Sequence, residues 1–449
     1  MTEADRLMVG VSGIRGTVGG TLTPQVACDF GCAFGTLLRR RVQGRPSVVI
    51  GRDTRPSGPT FRSAVVAGLL ACDVQVTDLG IVSTPGVALM TADLGADGGV
   101  VITASHNPAA YNGLKFLQPL GTGLTAEDAA TLADIRQRGL FEMVPPNEHP
   151  IEAAAADTHE RHVTAVCEQI DLQPVARRKF KVVLDSVNGA GCLATPRLLG
   201  RLGCDLVHLG SEPTGAFAHK PEPVAENLGD LCRAVAESDA DVGFAQDADA
   251  DRLAIVDENG TFIGEEYTLA LAAAYVLSRR AGKVATNLAT SRMIDDIAAA
   301  YGSEVIRAPT GEANVVEVLR REGCVIGGEG GGGVIEPRVV LVRDSLVGIA
   351  YVLAFLAETG KTVSQLVADL PRYVMRKTKL PCSPEAATRV IAAATDAFTP
   401  RRDARLNDAD GLRADLPDGW VCVRPSNTEP ILRIIAEAPD AARADALSP

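Results

Sequence analysis

Short apolar runs ending in Gly, Asp or Asn recur along the chain, with Ala-rich helical segments between them. The runs include SVVIGRD (47–53), DVQVTDLG (73–80), GVVITASHN (99–107), KVVLDSVNGAG (181–191), CDLVHLG (204–210) and DVGFAQDAD (241–249). VATNLATS (284–291), EVIRAPTG (304–311) and CVIGGEG (324–330) continue the series. Between them lie FRSAVVAGLLAC (61–72), GDLCRAVAES (229–238), SRMIDDIAAAYG (291–302) and ANVVEVLRREG (313–323). Strands alternating with helices in this way predict α/β units with largely buried sheets.

Strand-first groups begin near residues 47, 181 and 284, so the pattern predicts three α/β domains of related layout with weak mutual sequence similarity. The expected divisions are 1–150, 151–257, 258–369 and 370–449. VPPNEHPIEAAAAD (144–157) reads as a linker followed by a helix, and DENGTF (257–262) as a turn between strands. Beyond LPRYVMRKTKLPCSPE (370–385) the pattern changes to a helix followed by the strands WVCVRPS and ILRIIAEA, a smaller α+β unit.

Composition narrows the function classes. The 449 residues are 46% hydrophobic and 22% charged, enough for several cores and unlike a disordered chain. A formal charge of −12 disfavours wholesale binding to nucleic acid or an anionic membrane. A local positive cluster is still enough for a small anionic ligand. The N-terminus lacks a basic start followed by an apolar stretch, so no signal peptide is expected. Apolar stretches such as LALAAAYVL (269–277) fall short of the ~20 residues that span a bilayer. Ten cysteines without a CxxC pair fit buried thiols in a reducing cytosol.

Five segments carry candidate chemistry. Thr103-Ala104-Ser105-His106-Asn107-Pro108 closes an apolar strand, where α/β sheets place reactive groups, and Asn112-Gly113-Leu114-Lys115 follows. Asn-Pro favours an extended bend that would hold Ser105 outward beside His106, although the segment also reads as a capping turn. Asp247, Asp249 and Asp251, with Arg252 after them, could point carboxylates at one hard cation; a solvated acidic turn is the alternative. Arg424-Pro425-Ser426-Asn427-Thr428-Glu429-Pro430, with Arg433 beyond, offers guanidinium, hydroxyl and amide groups to a phosphate, or forms an ordinary polar hairpin loop. Residues 328–333 satisfy GxGxxG, yet a strand and a proline follow instead of a helix, so a dinucleotide site is rejected. A loop bringing Glu329 and bare backbone to a hydroxyl-rich ligand, or a glycine hinge, remains. Arg15 among the glycines of 10–16 could reach an anion or serve a turn.

Together these segments resemble the α-D-phosphohexomutase family, which includes phosphoglucomutase, phosphomannomutase and phosphoglucosamine mutase. SGIRG (12–16), TASHNP (103–108), NGLK (112–115), DADADR (247–252), GGEGGGG (327–333) and RPSNTEP (424–430) stand in the family's order along nearly the whole chain. The resemblance implies an α/β, four-domain architecture. Three related α/β domains with mixed sheets and a smaller α+β C-terminal domain would surround a central cleft, each giving one loop. It implies a phosphate on Ser105, and Mg²⁺ held by Asp247, Asp249, Asp251 and an oxygen of that phosphoserine. Arg15, Lys115 and Arg252 would lie near the transferring phosphoryl group, with Lys115 and His106 handling protons. Glu329 would grip sugar hydroxyls. Arg424, Ser426, Asn427, Thr428 and Arg433 would bind the distal phosphate, and Thr310 and Gly311 would belong to a further substrate loop.

The implied reaction interconverts hexose 6-phosphate and hexose 1-phosphate through phosphoserine, with a hexose 1,6-bisphosphate as intermediate and activator. A cytoplasmic monomer or homodimer with a hexose phosphate substrate, and no nucleic-acid or membrane partner, is expected. One departure bears on specificity: the usual Ser-Gly-His type sequence after the glutamate is replaced by glycines and Val334. The pattern GEGGGGVIEP…VRDSLVG looks closest to an archaeal-type branch often assigned as phosphoglucosamine mutase, which favours glucosamine 6-phosphate over glucose or mannose phosphates. A phosphatase losing the same phosphate to water and a non-catalytic sugar-phosphate sensor are the competing readings.

Overall fold

A computed structural model describes residues 7–145, 152–153, 157–426 and 431–448. Three sheets share one plan. In the first, the strands Gln75–Ile81, Ser47–Arg52 and Gly98–Ile102 are parallel neighbours, and Tyr111–Leu117 adds antiparallel beside Gly98–Ile102. In the second, Asp205–Leu209, Lys181–Asp185 and Val242–Gln246 are parallel and Leu253–Val256 is antiparallel at the edge. In the third, Val305–Ala308, Val284–Asn287 and Ile326–Glu329 are parallel and Gly333–Ile335 closes the edge antiparallel. The internal similarity, weak in sequence, is plain in topology. It also explains the site, because the segments around Ser105, Asp249 and Gly331 occupy the same place in each sheet. Each joins the third parallel strand to its antiparallel neighbour.

The first sheet is extended to seven strands by Gly13–Thr17 and Met8–Gly10 at one edge and by Glu152–Ala153 at the other. Helices Pro24–Arg39 and Gly58–Ala71 cover this sheet and lie close together. Gly68 permits the approach: a Cβ there would stand 2.3 Å from the Cys28 carbonyl oxygen. The second and third sheets share one core. Val182, Leu184 and Phe244 join helices Glu266–Arg279 and Ser345–Thr359, both nearly all buried, together with Val284 and Ile326. The fourth unit is a five-stranded antiparallel sheet ordered Val374–Pro381, Ile431–Ala438, Gly419–Pro425, Leu412–Leu416, Arg405–Asn407, with helices Pro384–Phe398 and Ala441–Leu447.

Three segments differ from the sequence-based expectation. Glu152–Ala153 pairs in parallel with Thr77 and Asp78 where a linker leading into a helix was expected; the helix starts later, at Thr158. Val374–Pro381 is a strand although it reads MRKTKL, because an edge strand need not bury its charged residues. Tyr111–Leu117 is masked in sequence by Asn112-Gly113, residues poor in strand propensity that are buried here against the strand Gly13–Thr17, Thr103 and Ser57. Among the described residues no single helix is long and apolar enough to cross a membrane. All ten cysteines are free, six of them buried.

Candidate active site

Ser105 follows the buried strand Gly98–Ile102, and its backbone is left-handed at φ +50°. A non-glycine residue adopts that conformation at some cost, and it persists only where surroundings enforce it. Arg55 is the enforcing group. Its fully buried guanidinium donates to the carbonyl oxygens of Ser105 (2.7 Å), Asn107 (2.6 Å), Pro108 (2.8 Å) and Tyr111 (2.9 Å). Asp53 balances its charge at 3.0 Å and accepts from the Thr103 hydroxyl, which in turn accepts from the Ser105 N–H. Ser105 is 1% exposed, so the bend does not turn it outward to solvent as expected. Its hydroxyl instead donates to Asp247 Oδ2 at 2.8 Å, across to the second domain, with His106 Nδ1 3.3 Å away.

The aspartates lie on a second left-handed turn. Ala250, at φ +53°, reverses the chain between Asp249 and Asp251, and Asp247 Oδ1 accepts from the N–H groups of Asp251 and Arg252. All three aspartates are buried, with one oxygen of each lying within 4.8 Å of the others. Burial above all, then the charges of Asp251 and Asp249, push the Asp247 carboxyl well above its ordinary value. Lys115 answers part of this charge, donating to Asp249 Oδ2 (2.6 Å) and Asp251 Oδ2 (3.1 Å). Burial works against its ammonium, but the two aspartates outweigh it and raise the lysine above its usual value. Asp249 Oδ1 and Asp251 Oδ1 remain buried without a hydrogen-bond partner. Three converging carboxylates with orphaned oxygens fit a hard divalent cation.

Further cations ring this centre. Arg15, on the strand Gly13–Thr17, donates to Asn107 Oδ1 at 3.1 Å. Arg252 stands 4.0 Å from Asp251, and its buried Nε lacks a hydrogen-bond partner. Burial first, then Arg252 and Arg15, pull the His106 imidazole down to about 2, so it is neutral at ordinary pH. From the third domain, Glu329 Oε1 accepts from Asn287 Nδ2 (2.7 Å) and Oε2 from Arg343 Nη1 (2.8 Å). From the fourth, Asp410 accepts from Arg424 Nε at 2.7 Å and from the Thr310 N–H at 3.0 Å, joining two of the expected substrate loops. Gly311 beside Thr310 has φ +124° and starts the helix Glu312–Arg321. Arg433 lies directly opposite both Arg424 and Lys379 on adjacent strands. Ser426 follows the strand Gly419–Pro425, its N–H bonded to the Ile431 carbonyl; Asn427 and Thr428 lie outside the described residues.

Arg55, Thr84, Arg343 and Asp410 were not singled out by sequence reasoning. Thr84 caps nothing catalytic in its own helix, yet its N–H donates to the Asp249 carbonyl and its hydroxyl to the Asp249 carboxylate. No motif spacing marks these residues, since most of their partners lie in other segments of the chain, 50 to 56 residues on for the carbonyls that Arg55 holds. The Arg-Asp pair 343–344 stood within the VRDSLVG pattern ahead of the apolar helix Ser345–Thr359, with no role attached to Arg343.

Comparison with known proteins agrees with this arrangement. The alpha/beta/alpha domains I, II and III of phosphoglucomutase/phosphomannomutase match residues 6–143, 160–260 and 264–373, and the C-terminal domain matches 375–448. A phosphoglucomutase/phosphomannomutase of Thermococcus kodakarensis is 41% identical over 433 residues, 96% of this chain and 94% of its own. A probable phosphoglucosamine mutase of Methanopyrus kandleri is 38% identical over 437 residues, 97% and 94% of the two chains. A solved phosphoglucomutase/phosphomannomutase family protein from Burkholderia thailandensis superimposes with a TM-score of 0.86 at 30% identity, covering 100% of this chain and 96% of that one. Four domains matched in order, and relatives similar from end to end, establish that the chain belongs to the phosphoglucomutase/phosphomannomutase family and is a phosphohexomutase.

Proposed function

We propose that this enzyme interconverts the 6- and 1-phosphates of a hexose by way of a phosphate carried on Ser105. The observation that carries the reading is the hydrogen bond from Ser105 to Asp247, 142 residues away, inside a buried ring of carboxylates and cations. Phosphoryl transfer needs alignment and charge neutralisation more than covalent help. Lys115, Arg15 and Arg252 neutralise phosphoryl oxygens around Ser105. His106, with Nδ1 3.3 Å from the serine oxygen, and Lys115, 2.6 Å from Asp249, are the groups placed to handle protons during the transfer. Glu329 takes sugar hydroxyls, while Arg424, Ser426, Asn427, Thr428 and Arg433 hold the phosphate that is not transferred, with Thr310 and Gly311 alongside. The 1,6-bisphosphate then turns over and returns its other phosphate to Ser105.

Asp247, Asp249, Asp251 and an oxygen on Ser105 would hold Mg²⁺, which supplies charge neutralisation to the phosphoryl oxygens when bound. For the sugar, the loop pattern and the relatives named probable phosphoglucosamine mutase favour glucosamine 6-phosphate. The Thermococcus kodakarensis phosphoglucomutase/phosphomannomutase, at 41% identity, supports glucose and mannose phosphates as the second reading.

Ser105→Ala is expected to abolish interconversion of the 1-phosphates of glucosamine, glucose and mannose, assayed side by side with Mg²⁺ and glucose 1,6-bisphosphate. Full turnover in that variant would refute the phosphoserine route. Steady release of inorganic phosphate without isomer formation would identify a phosphatase, and stoichiometric binding without turnover a sensor. The sugar with the highest kcat/KM in the unaltered enzyme decides between the two substrate readings.

A further inference from the structure

The glycine run after Glu329 is held to glycine for different reasons at different positions. A Cβ on Gly330 would stand 2.0 Å from Glu266 Oε2, and one on Gly332 would stand 2.4 Å from the Leu253 carbonyl oxygen. At Gly333 the obstacle is a single side chain: Arg343, with Cδ 2.1 Å and Cγ 2.7 Å from the would-be Cβ. The volume beside Glu329 that a side chain at 333 would fill is therefore occupied from elsewhere in the sequence.

The guanidinium on that stem joins three segments. Nη1 donates to Glu329 Oε2 at 2.8 Å, Nη2 donates to Asp251 Oδ2 at 2.8 Å, and Nε stands 3.1 Å from Glu312 Oε2. With Asn287 on its other oxygen, the Glu329 carboxylate is held at both ends. Each oxygen of a carboxylate still has a second acceptor site for a ligand hydroxyl. The Arg343 side chain is 14% exposed, so it is not sealed off as a purely internal counter-ion. A planar fork bridges two carboxylates in fixed geometry, whereas an ammonium donates from a single point on a flexible stem.

We propose that Arg343 is the positioning residue of the sugar subsite. It takes the volume that Gly333 leaves open, fixes Glu329 for the sugar hydroxyls, and ties that carboxylate to Asp251 of the aspartate turn. This rests on the phosphohexomutase reading, with Glu329 as the sugar-gripping group.

The test is a double-mutant cycle on the full-length, Mg²⁺-loaded enzyme primed with glucose 1,6-bisphosphate. Arg343→Ala and Gly333→Ala each raise KM for the preferred hexose 1-phosphate about tenfold or more, with a smaller change in kcat. In the Arg343→Ala background, Gly333→Ala adds little, because the side chain it would displace is gone. Arg343→Lys keeps the charge and the melting temperature, yet raises KM nearly as far as Arg343→Ala. Additive effects in the cycle, or a KM for Arg343→Lys equal to that of the unaltered enzyme, overturn the proposal. An unaltered enzyme that converts no hexose phosphate overturns the mutase reading and this inference together, whereas normal turnover with the variants behaving otherwise overturns the inference alone.

Discussion

At the scale of single residues, the turn that carries Ser105 depends on a group far from any motif. Arg55 donates to four carbonyls of the Ser105 turn while Asp53 balances it, and neither side chain is exposed. Removing one member of a buried ion pair leaves an uncompensated charge and costs about 3–5 kcal/mol. Arg55→Met is expected to lose that much stability, read from the urea midpoint, and to lose most turnover although Ser105 is intact. A variant with unchanged stability and turnover would mean that the left-handed serine is held by something else. The Thr-Ala-Ser-His-Asn-Pro segment was legible because its chemistry is local. Arg55 was not, since a buried arginine and an exposed one have the same one-letter code.

At the scale of elements, the three working turns follow from one repeated connection, that between the third parallel strand and an antiparallel partner. Such a junction must reverse the chain at the carboxyl end of a parallel strand, where side chains of an α/β sheet meet ligands. The aspartate turn accomplishes this with Ala250 at φ +53° and no exposure at all. A β-branched side chain suffers there twice, from the left-handed backbone and from overpacking, each about 1–3 kcal/mol. Ala250→Val is expected to lower kcat/KM at least about tenfold and to weaken Mg²⁺ activation, since 1.4 kcal/mol is already a factor of ten. Ala250→Gly should keep both near the original values. Equal behaviour of the two variants, in titrations of activity against Mg²⁺, would remove the backbone from the explanation. Strands of four to six apolar residues were readable from the sequence, whereas Tyr111–Leu117 and Val374–Pro381 were not. Their polar residues are accommodated by buried contacts and by an edge, and neither is visible locally.

At the scale of the whole molecule, the fourth domain meets the third through charged groups near the Glu329 loop. Lys377 lies 3.4 Å from Glu265 and 3.8 Å from Glu266, and the Ser291 N–H donates to Glu266 Oε2. Burial raises the Glu266 carboxyl from 4.5 to about 7, with Lys377 opposing it. A folded-state value above the unfolded one means that its contribution is fully present below about pH 4.5 and is lost as pH rises through about 7. The shift corresponds to at most about 3 kcal/mol. Glu266→Gln is therefore expected to flatten the decline in melting temperature between pH 5 and 8 relative to the unaltered enzyme. Parallel pH–stability curves for the two proteins would remove Glu266 as the cause.

The sequence by itself determined the strand–helix alternation, the order of the motifs and the chemical types at the site, because apolar periodicity, turn residues and side-chain functional groups are local properties of the chain. The tertiary structure decided which of these groups touch. Only folding brings Ser105 onto Asp247, seats Arg343 in the space beside Gly333, and sets Asp410 between Thr310 and Arg424. The net charge of −12 concealed an interior where cations and carboxylates alternate at hydrogen-bond distance. Charge pairing depends on separation in space and on exclusion of water, and neither is written in the order of residues.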